Sequence, residues 1–237
     1  MLLDLAVVMP AYNEEALIGG VVASWCQALA NLGIRFRIVV LDDGSRDGTA
    51  RALEAFADDH RVEVIHKVNT GHGPTILMGY RKAVELAAWV FQCDSDAEIG
   101  AEHFCHLWAR RGSYDALFGA RTGRRRLDRR IVSASSRLTV TLFFGRGVLD
   151  VNVPYRLIRS DLLRPIIDRI ADSTFAPNVL VSGALAKTGA RVYNHPVPWE
   201  ARKGGTVSIA RWSLWRGALR SLRQTLRFRG RLRRGYR

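Results

Sequence analysis

An α/β fold, with helices on both faces of a mostly parallel sheet, is what this chain predicts. Three observations carry that expectation. Short apolar runs rich in Val, Ile and Leu alternate with segments of helical period through the first half of the chain. Two of those runs end in acidic clusters, Ile38-Val39-Val40-Leu41-Asp42-Asp43-Gly44-Ser45 and Trp89-Val90-Phe91-Gln92-Cys93-Asp94-Ser95-Asp96. The 237 residues are 48% hydrophobic, enough to bury a full core, so one domain followed by a tail is expected. Ligands of open α/β sheets sit beyond the carboxyl ends of the strands, which directs both acidic clusters to one site.

Strands are expected at residues 5–9, 37–41, 62–66, 89–93 and 116–119, each a short apolar run bounded by polar or turn residues. Between them, apolar residues recur at helical spacing near 15–32, 49–57, 74–88 and 101–110. After Arg130 the pattern changes. A helix is expected over 131–144, then the segment Asp150-Val151-Asn152-Val153-Pro154-Tyr155, a short strand near 156–158, helices near 161–170 and 178–187, and a strand at 191–195. The first half reads as a nucleotide-binding half, and the second completes the other side of a cleft. The domain is expected over 1–205, with 206–237 as a tail.

The net charge of +14 is uneven. All 22 acidic residues lie at or before Glu200, so residues 1–200 hold 24 basic against 22 acidic side chains, while the remaining 37 residues carry 12 Lys and Arg. A second basic knot, Arg121 to Arg130, sets six Arg against Asp128. Such blocks mark an anionic partner. In the tail, Trp212, Trp215, Leu219, Leu222 and Leu226 form one helical stripe, with Arg216, Arg220, Arg223 and Arg227 one position further round. This basic amphipathic helix suits an anionic membrane surface, where each basic side chain contributes about 1 kcal/mol, and equally suits packing on the domain. Three cysteines without Cys-x-x-Cys spacing argue against a disulfide framework or zinc site, and a reducing compartment is expected. No signal peptide or bilayer-spanning run is read, which with the tail suggests a peripheral protein on the cytoplasmic membrane face. The sequence is also compatible with a homo-oligomer.

The acidic clusters carry the chemistry. Asp94 and Asp96, two residues apart at a strand end, have the spacing of a hard-cation ligand set for Mg²⁺ or Mn²⁺, which would neutralise a diphosphate. Asp43, at the tip of its strand, is placed to accept hydrogen bonds from a base imide or a ribose hydroxyl. A turn and a helix cap account for Gly44, Ser45 and Asp47. His60, His66, His103 and His106 are read as surface or packing residues, Trp25, Trp89 and Trp108 as core, and Arg124, Arg125 and Arg129 as a solvated loop.

The segments Val8-Met9-Pro10-Ala11-Tyr12-Asn13-Glu14-Glu15, Leu41 to Thr49, Asn69-Thr70-Gly71-His72-Gly73 and Gln92-Cys93-Asp94-Ser95-Asp96 resemble, in order and spacing, the motifs of family 2 glycosyltransferases with the GT-A fold. Gly119-Ala120-Arg121, Arg126 to Ser133 and Asp150 to Arg156 are similar to the branch that makes polyprenyl-phosphate sugars. The resemblance covers residues 5–205. It implies a GT-A-like three-layer α/β/α sandwich and a metal-dependent hexosyltransferase using a UDP- or GDP-sugar donor and a polyprenyl-phosphate acceptor. Pro10, Tyr12, Glu14, Asp42, Asp43, Gly71, Gly73 and Asp94 would bind the donor, and Asp94, Asp96 and Glu98 the metal. Arg121, Arg130, Ser133 and Arg202 would face the acceptor phosphate, with Asp94, Asp96, Arg121 and Arg130 as the catalytic set. His72 stands where many relatives carry Lys, and the Gln-x-x-Arg-Trp motif of processive synthases is missing.

The chemistry agrees. A phosphate acceptor is already ionised at neutral pH and needs Arg forks to position it rather than a base. A soluble hydroxyl or glycan acceptor would require a base, for which only Asp128 and Asp150 stand out. A nucleic-acid binder explains the basic tail but not the acidic strand ends.

Overall fold

The computed structural model describes residues 2–122, 141, 148–198, 223–225 and 228. The expected helix over 131–144 falls outside them apart from residue 141. So do Arg124, Arg125, Arg129, Arg130, Ser133, Arg202 and the tail stripe.

The elements are β1 (Leu3–Ala11), α1 (Ile18–Asn31), β2 (Phe36–Asp42), α2 (Thr49–Leu53), β3 (Val62–His66), α3 (His72–Leu86), β4 (Ala87–Cys93), α4 (Phe104–Trp108), β5 (Ala116–Thr122), β6 (Tyr155–Arg159), α5 (Ser160–Ile167), α6 (Pro177–Lys187) and β7 (Val192–Pro198). Among the described residues they build one seven-stranded sheet in the order β3-β2-β1-β4-β6-β5-β7. Only β6 runs against the others: it is antiparallel to β4 and β5, while β1–β2, β1–β4, β2–β3 and β5–β7 are parallel. The mostly parallel α/β sheet is therefore as expected.

Several boundaries differ from the sequence reading, each for a local reason. The first helix begins at Ile18 rather than Glu15, because residues 12–17 form a loop whose Glu14 carbonyl accepts the N–H groups of Leu17 and Ile18. Helix α3 begins at His72 and passes directly into β4 at Ala87, whose first residue pairs with Leu3 of β1. The helix expected over 101–110 is a 3-10 turn (Ala101–His103) followed by α4. Strand β7 runs on to Pro198 because it pairs with β5 from Ala116↔Val192 to Thr122↔Pro198.

Both faces of the central strands are buried, as their unbroken apolar runs require. Alternation sends Phe91 to one face and Gln92 to the other. On the first face, Trp25 of α1 lies 5.1 Å from the Phe91 ring and 5.7 Å from Phe104, and Phe91 meets Tyr155 at 4.8 Å. On the second, Tyr80 of α3 and Asn178 of α6 converge on Gln92. Trp108 is buried and Trp89 half-buried. No described helix is long and apolar enough to cross a membrane.

The described tail residues dock on the domain. Gln224 accepts the Phe175 N–H at 2.9 Å and donates to the Ser173 carbonyl at 3.4 Å, while Thr225 and Phe228 are buried. Leu222 and Leu226 of the predicted stripe lie outside the described residues.

The aromatic cluster generates a stability prediction. Trp25→Ala should cost about 3–5 kcal/mol, read as a lower urea midpoint with an unchanged slope.

Candidate functional site

The carboxyl ends of β1, β2, β4 and β5 and the loops that follow them form the site. The loops after β1 and β2 lock each other. Asn13, at φ 56°, donates its N–H to Ser45 Oγ at 3.0 Å and accepts the Arg46 N–H on Oδ1 at 2.8 Å. The Glu14 N–H reaches Thr49 Oγ1 at 2.8 Å, and Glu15 Oε2 accepts the Gly48 N–H at 2.7 Å. Ser45 and Asp47 thus have structural work, with Asp47 Oδ1 accepting the Thr49 N–H at 3.0 Å. Pro10 lies in the last turn-ward residues of β1, Glu14 is buried, and Tyr12 is exposed at the rim.

Both aspartates after β2 are engaged within the protein. Asp42 accepts the Ser45 N–H at 3.0 Å and stands 2.9 Å from His66 Nδ1, so His66 has a specific partner that the sequence reading missed. Asp43 accepts the N–H groups of Thr70 and Gly71, both at 2.9 Å, and pairs with Lys67 Nζ. Lys67 also donates to Val68 O, Thr70 Oγ1 and Thr75 Oγ1. Burial works to raise the Asp43 pKa, but these donors outweigh it and hold the carboxyl below its usual range. Asp42 is likewise lowered against its burial, by Ser45 and His66. Lys67 has no motif signal; the acidic strand end itself was the hint that a cation lies beside it.

Gly71, at φ 92°, adopts a backbone that favours glycine. Gly73 has a different reason: a Cβ there would run into the carbonyl oxygens of Thr174 and Phe175. The first turn of α3 therefore rests directly on the backbone of the segment that Gln224 holds from the other side.

Asp94 is the exception to this pairing. Its side chain is 26% exposed, yet Oδ1 is buried and has no hydrogen-bond partner among the described residues. His72 Nε2 stands 3.9 Å from it. Burial first, and the neighbouring Glu98 charge second, push the Asp94 pKa up, against the pull of Arg121 and Arg156. The chain then turns through Ala97 at φ 57°, and Asp96 Oδ1 accepts the Glu98 N–H at 3.1 Å. Non-glycine residues in this region cost about 1–3 kcal/mol and cluster at functional sites. Among the described residues no three His, Cys, Asp or Glu side chains are gathered as a ready-made metal cluster, so Asp94, Asp96 and Glu98 do not yet form one.

On the far wall, Arg121 forms a two-point pair with Asp150, Nε to Oδ2 at 2.9 Å and Nη2 to Oδ1 at 3.1 Å. Both side chains are largely buried. Arg156, fully buried, donates to the carbonyls of Val151, Val153 and Asn178 at 2.8–3.2 Å and covers the Phe118 ring. It ties down the segment that carries Asp150, a role the sequence reading did not assign. His195 lies against His106, with ring centroids 4.9 Å apart at a tilt of 33°. The charges of Glu98, Arg121 and Arg156 thus all act on Asp94.

Residues 6–168 match the family described as glycosyl transferase family 2, and the chain belongs to that family. Undecaprenyl-phosphate 4-deoxy-4-formamido-L-arabinose transferase of Pectobacterium carotovorum is 28% identical over 194 residues, covering 79% of this chain and 57% of the relative. The protein of the same name from Pseudomonas paraeruginosa is 32% identical over 188 residues, 77% of this chain and 55% of the relative. The chain thus spans little more than half the length of these two. Undecaprenyl-phosphate mannosyltransferase of Micrococcus luteus is 26% identical over 205 residues, 76% of this chain and 84% of the relative. Among solved structures, glucosyl-3-phosphoglycerate synthase from Mycobacterium tuberculosis, bound to Mn²⁺, uridine diphosphate and phosphoglyceric acid, shares the fold. Its TM-score is 0.69 at 19% identity, over 96% of this chain and 79% of that one.

The Asp43 pairing predicts a pH signature. Its folded pKa lies below the ordinary 3.8, so its stabilisation is present above that value and is lost as pH falls through the folded one. Asp43→Asn should lower stability at pH 7 by about 1–3 kcal/mol and flatten the loss of urea midpoint on acidification below about pH 4.

Proposed function

We propose that the chain transfers a sugar from a UDP- or GDP-sugar to a polyprenyl phosphate, with inversion, at the cytoplasmic face of a membrane. The observation that carries this reading is Asp94: a buried carboxylate oxygen at the end of the central strand with no hydrogen-bond donor among the described residues, followed by Asp96 and Glu98 and within reach of the Arg121 charge. The names of the relatives support a polyprenyl-phosphate acceptor. The Mn²⁺ and uridine diphosphate in the mycobacterial synthase support a divalent cation and a nucleotide donor.

The residues fit a hard cation. Oxygen donors suit Mg²⁺ and Mn²⁺, and a buried anionic oxygen lacking a donor is what such an ion would satisfy. Asp94 and Asp96 would hold it, with Glu98 close enough to raise the local negative charge; the donor's diphosphate would complete the set. A bound divalent ion offsets the charge that develops on a departing diphosphate.

The chain's own groups do the rest. The locked loops after β1 and β2 hold Pro10, Tyr12, Glu14 and Asp43 along one wall for the nucleoside, and the Gly71 loop, pinned by Asp43, sets the floor. Arg121, oriented by Asp150, keeps a fixed guanidinium for the acceptor phosphate, together with Arg130, Ser133 and Arg202. One phosphate oxygen bonds to the anomeric carbon as that carbon's bond to the diphosphate breaks. No proton has to be removed from the nucleophile, so no general base is required. A single displacement inverts the anomeric centre. The basic tail supplies attraction to an anionic membrane surface, worth about 1 kcal/mol per side chain near it.

Labelled UDP- and GDP-sugars with Mn²⁺ and undecaprenyl phosphate should give a lipid-extractable product of inverted anomeric configuration. Label confined to the aqueous phase with every donor would count against the acceptor. Asp96→Ala should stay folded by circular dichroism and lose about a hundredfold or more in kcat.

A further inference from the structure

We propose that Gln92 is a positioning residue for Asp94: its amide, fixed in one sense by Tyr80 and Asn178, holds the Asp94 carboxylate in place for a divalent cation. This rests on the cation reading above, and it names the group that prepares the ligand.

Gln92 is fully buried in β4, the central strand, between Val8 of β1 and Arg156 of β6. An aliphatic side chain would suit that position better, because a buried amide must find partners for both its oxygen and its nitrogen. Its oxygen has them. Gln92 Oε1 accepts from Asn178 Nδ2 at 2.9 Å and lies 2.9 Å from Tyr80 Oη, which is also 3.0 Å from Asn178 Oδ1. The single phenol proton serves one of those two acceptors, and Asn178 supplies the other hydrogen bond to Gln92.

This triangle fixes the sense of the amide. Rotating Gln92 alone by half a turn would set its N–H groups against those of Asn178, and rotating both amides together would turn N–H groups onto Tyr80 Oη and leave its proton with neither amide oxygen to accept it. The nitrogen is therefore turned away from the triangle. Gln92 and Asp94, two residues apart at the end of a strand, share a face. The Gln92 amide favours the charged form of Asp94. Yet Gln92 Nε2 and Asp94 Oδ1 are both buried and neither has a closed hydrogen bond among the described residues. A donor and an acceptor left open beside each other, with the donor's orientation enforced from behind, describe a contact that closes when Asp94 is drawn to its ligand position. The enforcing groups come from α3 and α6, so two helices remote in sequence set the aim of one carboxylate.

The test uses the chain over residues 1–237. Free Mn²⁺, followed by electron paramagnetic resonance, is titrated against the wild type, Gln92→Met and Tyr80→Phe. Loss of a group that orients a metal ligand should weaken Mn²⁺ affinity about 10–100-fold in Gln92→Met. Tyr80→Phe keeps every atom of Gln92 but frees its amide, and should weaken affinity about two- to tenfold; it carries this arm if Gln92→Met does not fold. In parallel, the side-chain amide signal of Gln92, assigned by its absence in Gln92→Met, is followed by NMR without metal. It should shift and exchange faster in Asp94→Asn. Unchanged Mn²⁺ affinity in the folded variants, or a Gln92 signal indifferent to Asp94→Asn, overturns the proposal. A wild type that binds no Mn²⁺ would instead sink the cation reading, with the amide signal still deciding the coupling.

Discussion

Carboxylate charge taken out of water at the ends of β2 and β4 sets the terms for the rest of this structure. A sheet covered on both faces gives those side chains little solvent, and a buried carboxylate is costly unless donors or cations meet it. At Asp43 the protein meets the cost itself, with Lys67 and two backbone N–H groups. At Asp94 it does not. Among the described residues, the two arginines whose charge reaches it are already committed, Arg121 to Asp150 and Arg156 to backbone carbonyls and Ser182. The difference between two chemically identical residues locates where an external cation belongs.

The one reversed strand explains how the far wall is built. Because β6 runs antiparallel between β4 and β5, Arg156 lies beside Gln92 on one side and Phe118 on the other. From there its guanidinium reaches back to Val151 and Val153, fixing the segment that ends in Asp150. Asp150 then meets Arg121 at the end of β5. A buried arginine whose hydrogen-bond partners are neutral carbonyls and a hydroxyl is an expensive way to hold a loop, and burial accordingly pulls its pKa down. Here it also places a positive charge behind Asp94.

The loop behind α3 connects the domain to its tail. The Thr174 and Phe175 carbonyls press on Gly73, and the same loop is held by Gln224 through the Ser173 carbonyl and the Phe175 N–H. Among the described residues of the tail, Gln224, Thr225 and Phe228 meet the domain, while the stripe of Trp and Leu read from its periodicity lies outside them. A helical period identifies a face but not the surface that receives it, and the receiving loop lies about fifty residues earlier in the chain.

Strand positions, the mostly parallel sheet and the acidic strand ends were legible in the sequence because they follow from local rules: apolar runs, helical period, and the placement of ligands at carboxyl ends. The family motifs were legible for the same reason, being short and contiguous. The partners were not. Lys67 opposite Asp43, His66 beside Asp42, Arg156 caging the Asp150 segment, and Tyr80 with Asn178 around Gln92 all join residues from different elements, 12 to 98 positions apart where the bonds about Gln92 and Tyr80 are concerned. Composition and spacing by themselves determined which residues could carry charge into the cleft. Only the tertiary structure decided which of those charges meet donors among the described residues and which lacks one, because desolvation and hydrogen bonding depend on neighbours that the linear order does not specify.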